Sequence, residues 1–168
     1  MKSPGDVYRR FIGFEEQAAA VYLRLASRFS PENPEVTELW LDMGMQEKQH
    51  AGLLQFCLAE ELFAAKLPDN QQIQTVQSLL ARLMKGAANP EVSVEESFRI
   101  ALELEASEVN TIYDALTTPM HTSTYLLHRK IVTSLPDHFE FLLKAARRLR
   151  IGDDCIRSLE QLVAKNRS

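Results

Sequence analysis

Glu47-Lys48-Gln49-His50 places a carboxylate and an imidazole one helical turn apart, on one face of any helix that carries them. Glu15, Glu105 and His138 are side chains of the same two kinds elsewhere in the chain. Carboxylate oxygen together with imidazole nitrogen suits iron, manganese or zinc. The chemistry becomes specific once the surroundings of these residues are read. A carboxylate buried without a partner costs several kcal/mol, roughly, and Glu is almost never fully buried unpaired. Three acids in one apolar interior, with no Lys or Arg in the same stripes, would repel one another strongly, and a cation is the cheapest remedy.

The elements that must position them are helical. Apolar residues recur with a helical period along almost the whole chain, and no useful length alternates as a strand does. The pattern predicts bundle helices over about 5–29, 34–65, 93–116 and 121–150, a connector helix over about 71–85 and a C-terminal helix over about 153–165. Asn33 with Pro34, and Ser93 with Glu96, are helix-start signals. Pro136 is expected to kink the fourth bundle helix, or to end it there and let Ser134 cap a new one. Short turns between the first and second and between the third and fourth helices make each pair antiparallel neighbours. The expected fold is an all-α four-helix bundle with one crossover, in a single domain.

Each bundle helix then shows one apolar stripe with an exception at its middle. The first reads Tyr8, Phe11, Glu15, Ala18, Tyr22, Leu25, Phe29. The second reads Val36, Trp40, Met43, Glu47, His50, Leu54, Cys57, the third Phe98, Leu102, Glu105, Val109, Ile112, Leu116. The fourth includes His128, Ile131, Leu135, His138 and Leu142. Glu108 borders the third stripe one turn beyond Glu105. Singly, each has an ordinary reading. Glu15 has Glu16 beside it, so a small rotation would turn it to solvent; Glu-x-x-His is common on surfaces; a lone histidine is usually a satisfied core residue; Glu108 would be a solvated charge. Their joint position at mid-stripe on four helices carries the metal reading, because a Glu from each of two helices plus Glu-x-x-His from each of the other two is how a bundle core holds two iron or manganese ions. His121 and His128 have no second ligand beside them, and Tyr22 and Tyr113 read first as core. Gly13, Gly44 and Gly52 read as sites of close helix approach.

Composition narrows the classes. Nineteen Lys and Arg against 23 Asp and Glu give a formal net charge of −4, which disfavours a nucleic-acid binder. Two cysteines, Cys57 and Cys155, cannot form a disulfide framework. The first residues have no apolar stretch behind Lys2, and no run of about 18 apolar residues occurs, so a soluble cytoplasmic protein without membrane contact is expected.

Phe14-Glu15-Glu16-Gln17-Ala18-Ala19-Ala20-Val21-Tyr22, Glu47-Lys48-Gln49-His50 and Glu105-Ala106-Ser107-Glu108 with Tyr113 after it resemble the rubrerythrin-like branch of the ferritin-like superfamily. The resemblance covers about residues 5–150, and the two halves of the chain also resemble each other. It implies that Glu15 and His50 are terminal ligands of one metal, that Glu105, Glu108 and His138 serve the other, and that Glu47 bridges both. Tyr22 and Tyr113 would hydrogen-bond near the metals. Leu135 stands where the resemblance implies a second bridging carboxylate, and Asp137 is the candidate substitute. No Cys-x-x-Cys pair of the rubredoxin type occurs, so reducing electrons would come from an external donor protein. The implied cofactor is one or two iron ions, with zinc or manganese as the other candidates, and the implied chemistry is ferroxidase or peroxide-reducing. A homodimer is expected. The alternative is a non-catalytic bundle whose site is degenerate or holds a single zinc, acting as a structural or interaction protein.

Overall fold

Ser3 starts the first helix with a reciprocal cap. Its hydroxyl accepts from the Asp6 amide, the Asp6 carboxylate accepts from the Ser3 amide, and Pro4 follows at the first helical position. A computed structural model of the chain describes residues 3–30, 32–117 and 138–166; for residues 108–111 and 166 the description is of the backbone alone. The described residues form α1 (Pro4–Phe29), α2 (Pro34–Ala59), α3 (Asn70–Ala87), α4 (Val94–Glu105), α5 (Glu108–Thr117), α6 (His138–Arg148) and α7 (Asp153–Asn166). They contain no strand, so the protein is all-α over that extent. None of these helices is long and apolar enough to cross a membrane.

α1 and α2 form an antiparallel hairpin, in which early positions of α1 meet late positions of α2. Glu16 pairs with Lys48, and Ala19 and Leu23 meet Gly44. Asn33 caps α2 by accepting from the Val36 amide at 3.2 Å, with Pro34 at the first turn. α1 is buried on more than one side: Val7, Phe14, Val21 and Ala26 join the stripe from Tyr8 to Phe29. It packs against α2, α3, α4 and α5, while α6 lies against α4 and α7. A column of rings fixes the middle of the core. Tyr22 stacks on Trp40 at 5.9 Å between centroids, and Phe98 meets Trp40 edge-on at 5.0 Å.

Two features differ from those the sequence predicts. α2 ends at Ala59 rather than near residue 65. Glu61 adopts a left-handed φ of 53°, and the Leu62 amide bonds back to the Cys57 carbonyl at 2.8 Å, which closes the last turn as a Schellman motif. The apolar run after it folds back on the core instead of extending the helix. Tyr8 pins it there: its hydroxyl accepts from the Ala64 amide at 2.9 Å and donates to the Leu116 carbonyl at 2.6 Å. The single helix expected over 93–116 is two, separated at Ala106 and Ser107. The Ser107 hydroxyl donates to the Leu104 carbonyl at 2.6 Å, as does its amide at 3.1 Å, so local bonds replace the helical ladder. The Ser93 cap at the start of α4 is present as the pattern predicts. α6 ends at Arg148, and just beyond it Arg150 has φ 56° and the Ile151 amide bonds to the Ala146 carbonyl at 2.9 Å. His121, His128, Ile131, Leu135, Pro136 and Asp137, and with them the expected kink, lie outside the described residues.

Of the three glycines expected at close approaches, one is at such a place. A Cβ on Gly44 would lie 3.2 Å from the Leu23 side chain and 3.4 Å from the Ala19 carbonyl oxygen, whereas Gly13 and Gly52 have nothing within 4 Å. At the two open positions Ala would gain helix propensity without a contact to displace. Gly13→Ala and Gly52→Ala are expected to stabilise the protein by about 0.5–1 kcal/mol each. Gly44→Ala should gain less or lose stability, because Leu23 must move. Thermal melts of the three variants check the order.

Candidate metal centre

α1 points Glu15 inward at mid-helix and leaves Glu16 outside, where Glu16 pairs with Lys48 of α2 across the hairpin. The alternative in which Glu15 would face solvent is decided against: Glu15 is fully buried. α2 contributes Glu47 and His50 from one face, both buried. Glu105 is the last residue of α4 and His138 the first of α6. The five side chains meet in the core.

Glu47 lies between two histidines. Its Oε2 is 2.9 Å from His50 Nδ1, within hydrogen-bond reach of the ring N–H, and its Oε1 is 3.6 Å from His138 Nδ1. His138 Nδ1 is also 2.8 Å from Glu105 Oε2, and His50 Nδ1 is 3.8 Å from Glu15 Oε2. The two imidazoles stack at 5.2 Å between centroids. Glu15, Glu47 and His50 thus present ligand atoms within 4.8 Å of one another, and so do Glu47, Glu105 and His138. Both groups are buried and they share Glu47.

Tyr22 donates its hydroxyl to Glu105 Oε1 at 2.6 Å. Tyr113 is also beside the cluster, but by its ring: its centroid is 4.4 Å from that of His50, and its hydroxyl has no hydrogen-bond partner among the described residues. Glu108 begins α5, and its side chain lies outside the described residues, as does Asp137. The role of Lys48, in closing the outer side of the hairpin onto Glu16, is one that the sequence reading did not assign. Its signal was the pairing of Glu16 and Lys48 as immediate neighbours of Glu15 and Glu47.

Burial and mutual repulsion govern the charges. Burial raises the Glu15 carboxyl to about 8, with His50 opposing and Glu47 adding to the rise. Burial disfavours the imidazolium of His50, but the carboxylates of Glu15 and Glu47 outweigh it and raise the ring to about 10. For His138, burial is likewise outweighed, here chiefly by Glu105, and the ring is raised to about 9. Burial, and then the Glu105 charge, hold the Tyr22 phenol well above its ordinary range. The cluster without metal therefore keeps protons that the unfolded chain would lose.

The donor set fits a cation. Both oxygens of Glu15 are buried without a hydrogen-bond partner among the described residues, and so is Nε2 of His138. Orphaned polar atoms of this kind are expensive in a closed interior. Three carboxylates and two imidazoles from four helices form a set of oxygen and nitrogen donors able to hold a metal ion.

Two consequences can be measured on metal-free protein. Each raised group binds protons in the folded state that the unfolded state releases at lower pH. Stability should therefore fall as pH rises: through the window from about 4.5 to about 8 for Glu15, and from about 6.5 to about 9–10 for the two histidines. Urea melts between pH 5 and 10 should show a continuous loss, and a bell centred at neutral pH would contradict it. Glu15→Gln removes the buried acid while keeping its shape, and should stabilise metal-free protein at pH 8 by about 1–3 kcal/mol and flatten that dependence. In comparisons with known proteins, no family model matches the chain, and no curated protein or solved structure matches it.

Proposed function

We propose that the protein is a rubrerythrin-like member of the ferritin-like superfamily that binds iron in its bundle core, as one or two ions, and uses it to reduce peroxide or oxidise ferrous iron. The observation that carries this reading is the pair of buried Glu/His groups joined by a single carboxylate, Glu47. Glu15, Glu47 and His50 would hold one ion and Glu47, Glu105 and His138 the other. Two bound irons would supply a pair of electrons to a peroxide or to dioxygen.

The chain's own residues prepare that chemistry. The raised protons on Glu15, His50 and His138 are those that an entering cation would displace, so binding should strengthen with pH. Tyr22 fixes the plane of the Glu105 carboxylate through its hydroxyl, and its own ring is fixed by stacking on Trp40. The surrounding apolar side chains limit water. Cys57 and Cys155 are both buried thiols far apart in sequence, so electrons would come from an external donor protein. A homodimer and a cytoplasmic location belong to the same proposal.

Anaerobic loading with Fe(II) followed by metal analysis is the direct test. About one to two equivalents should bind per chain. Glu47→Ala should abolish binding, since that side chain belongs to both groups. Peroxide consumption with an artificial reductant should then exceed that of free iron. Bound metal with no such excess would favour the alternative of a non-catalytic bundle with a structural ion.

A further inference from the structure

We infer that the solvent side of α2 is a twofold interface, on which α2 packs antiparallel against α2 of a second copy of this chain. The inference gives the homodimer of the preceding proposal its surface and uses none of its metal chemistry.

The large apolar side chains exposed among the described residues are Leu41, Met45 and Phe56, by 44%, 56% and 36%. All three are on α2. Leu41, Met45, Lys48, Gly52 and Phe56 follow one another at helical spacing along its exposed side. Single apolar residues on a surface are ordinary, but a line of them on one helix marks a contact face.

The order of the side chains says what covers it. A twofold axis crossing α2 between Lys48 and Gln49 sets the helix against its copy in reverse. It brings Leu41 to Phe56 of the second copy and Met45 to Gly52 of the second copy. Each pairing occurs twice, as an isologous contact requires. The most exposed of the three apolar side chains thus meets the residue that has none. A Cβ on Gly52 would have nothing within 4 Å, and the same holds for Gly13. Gly13 is one turn before Glu16 and Gly52 one turn after Lys48, and Glu16 pairs with Lys48 across the hairpin. The two glycines therefore lie at one level and leave a notch beside that ion pair. Glycine at an open helical position weakens its own helix, and close approach of another surface is a reason to keep it.

Charge does not oppose the pairing. Like charges set against each other are the usual barrier to self-association. Here Lys48 is neutralised by Glu16 of its own chain, Gln49 is uncharged, and the same axis sets Asp42 against Gln55. From Leu41 to Phe56 the contact runs about 22 Å along the helix.

Sedimentation velocity of the full chain over a concentration series tests the interface, and a dimer in the micromolar range is expected. Met45→Glu puts a charge into the contact and should weaken it at least about thirtyfold. Gly52→Gln fills the notch and should weaken it about tenfold or more. Both positions are exposed, so melts at low concentration should show folded monomers. Gln49→Cys lies at the axis and should give an interchain disulfide on mild oxidation, whereas Glu60→Cys, far from the axis, should not. Cys57 and Cys155 are buried and stay out of that reaction. A monomer at millimolar concentration would overturn the interface. So would a dimer that either substitution leaves unchanged, or that Gln49→Cys fails to link. Bound Fe(II) in Met45→Glu should equal that of the unaltered chain, because the stripe faces away from Glu47 and His50. Association and metal content therefore fail separately.

Discussion

Like charges brought together in a closed apolar space dominate this molecule. Glu15, Glu47 and Glu105 converge where α1, α2, α4 and α6 meet, and all three are buried. In a medium that screens poorly, their repulsion must be answered locally. Two imidazoles answer it in part, taking protons at pH values where free histidine would be neutral. The answer is incomplete, since neither Glu15 oxygen has a hydrogen-bond partner among the described residues, His50 Nδ1 being 3.8 Å away. A sequence selected for stability alone would place apolar residues at such positions, as it does at most other points of the same stripes. Function is the economical reason for retaining acids there.

The two sides of the cluster are built differently. Glu15, Glu47 and His50 all come from the α1–α2 hairpin, whose long continuous interface is fixed by the Gly44 contact and by the Glu16–Lys48 pair. Glu105 comes from the last residue of a shorter helix, just before a local break, and its two oxygens meet Tyr22 and His138. A long hairpin interface on one side and side-chain hydrogen bonds at a helix end on the other follow from where the helices begin and end. The ring column through Tyr22, Trp40 and Phe98 connects these supports, because it touches α1, α2 and α4 together.

Much of this was legible in the sequence because helical period and burial cost are both local rules. The stripes of α1 and α2 placed Glu15, Glu47 and His50 inside, and all the apolar members of those two stripes are buried. What could not be read were the places where one side chain or one backbone angle overrides a continuing pattern. The stripe keeps its helical spacing from Leu102 through Glu105 and Val109 to Ile112, so nothing announced that Ser107 would bond back to Leu104 and divide the helix. The residues after Ala59 are as apolar as those before, yet Glu61 turns left-handed and the Tyr8 hydroxyl captures the backbone that follows. Tyr113 was expected to act through its hydroxyl, but it meets His50 through its ring. That distinction depends on side-chain direction, which spacing alone does not fix. Leu102, assigned to the stripe, is only partly buried, in keeping with the end of α4 turning away from the regular path.

The bonds of Tyr8 have a mechanical meaning. One phenol ties the beginning of α1 to the strand of backbone after α2 and to the Leu116 carbonyl in the last turn of α5. At its other end α5 adjoins the interruption at Ala106 and Ser107. A rod anchored at one end and articulated at the other behaves as a strut. Small displacements of Glu105 can be absorbed at the articulation, while the anchored rod keeps the Tyr113 ring seated against His50.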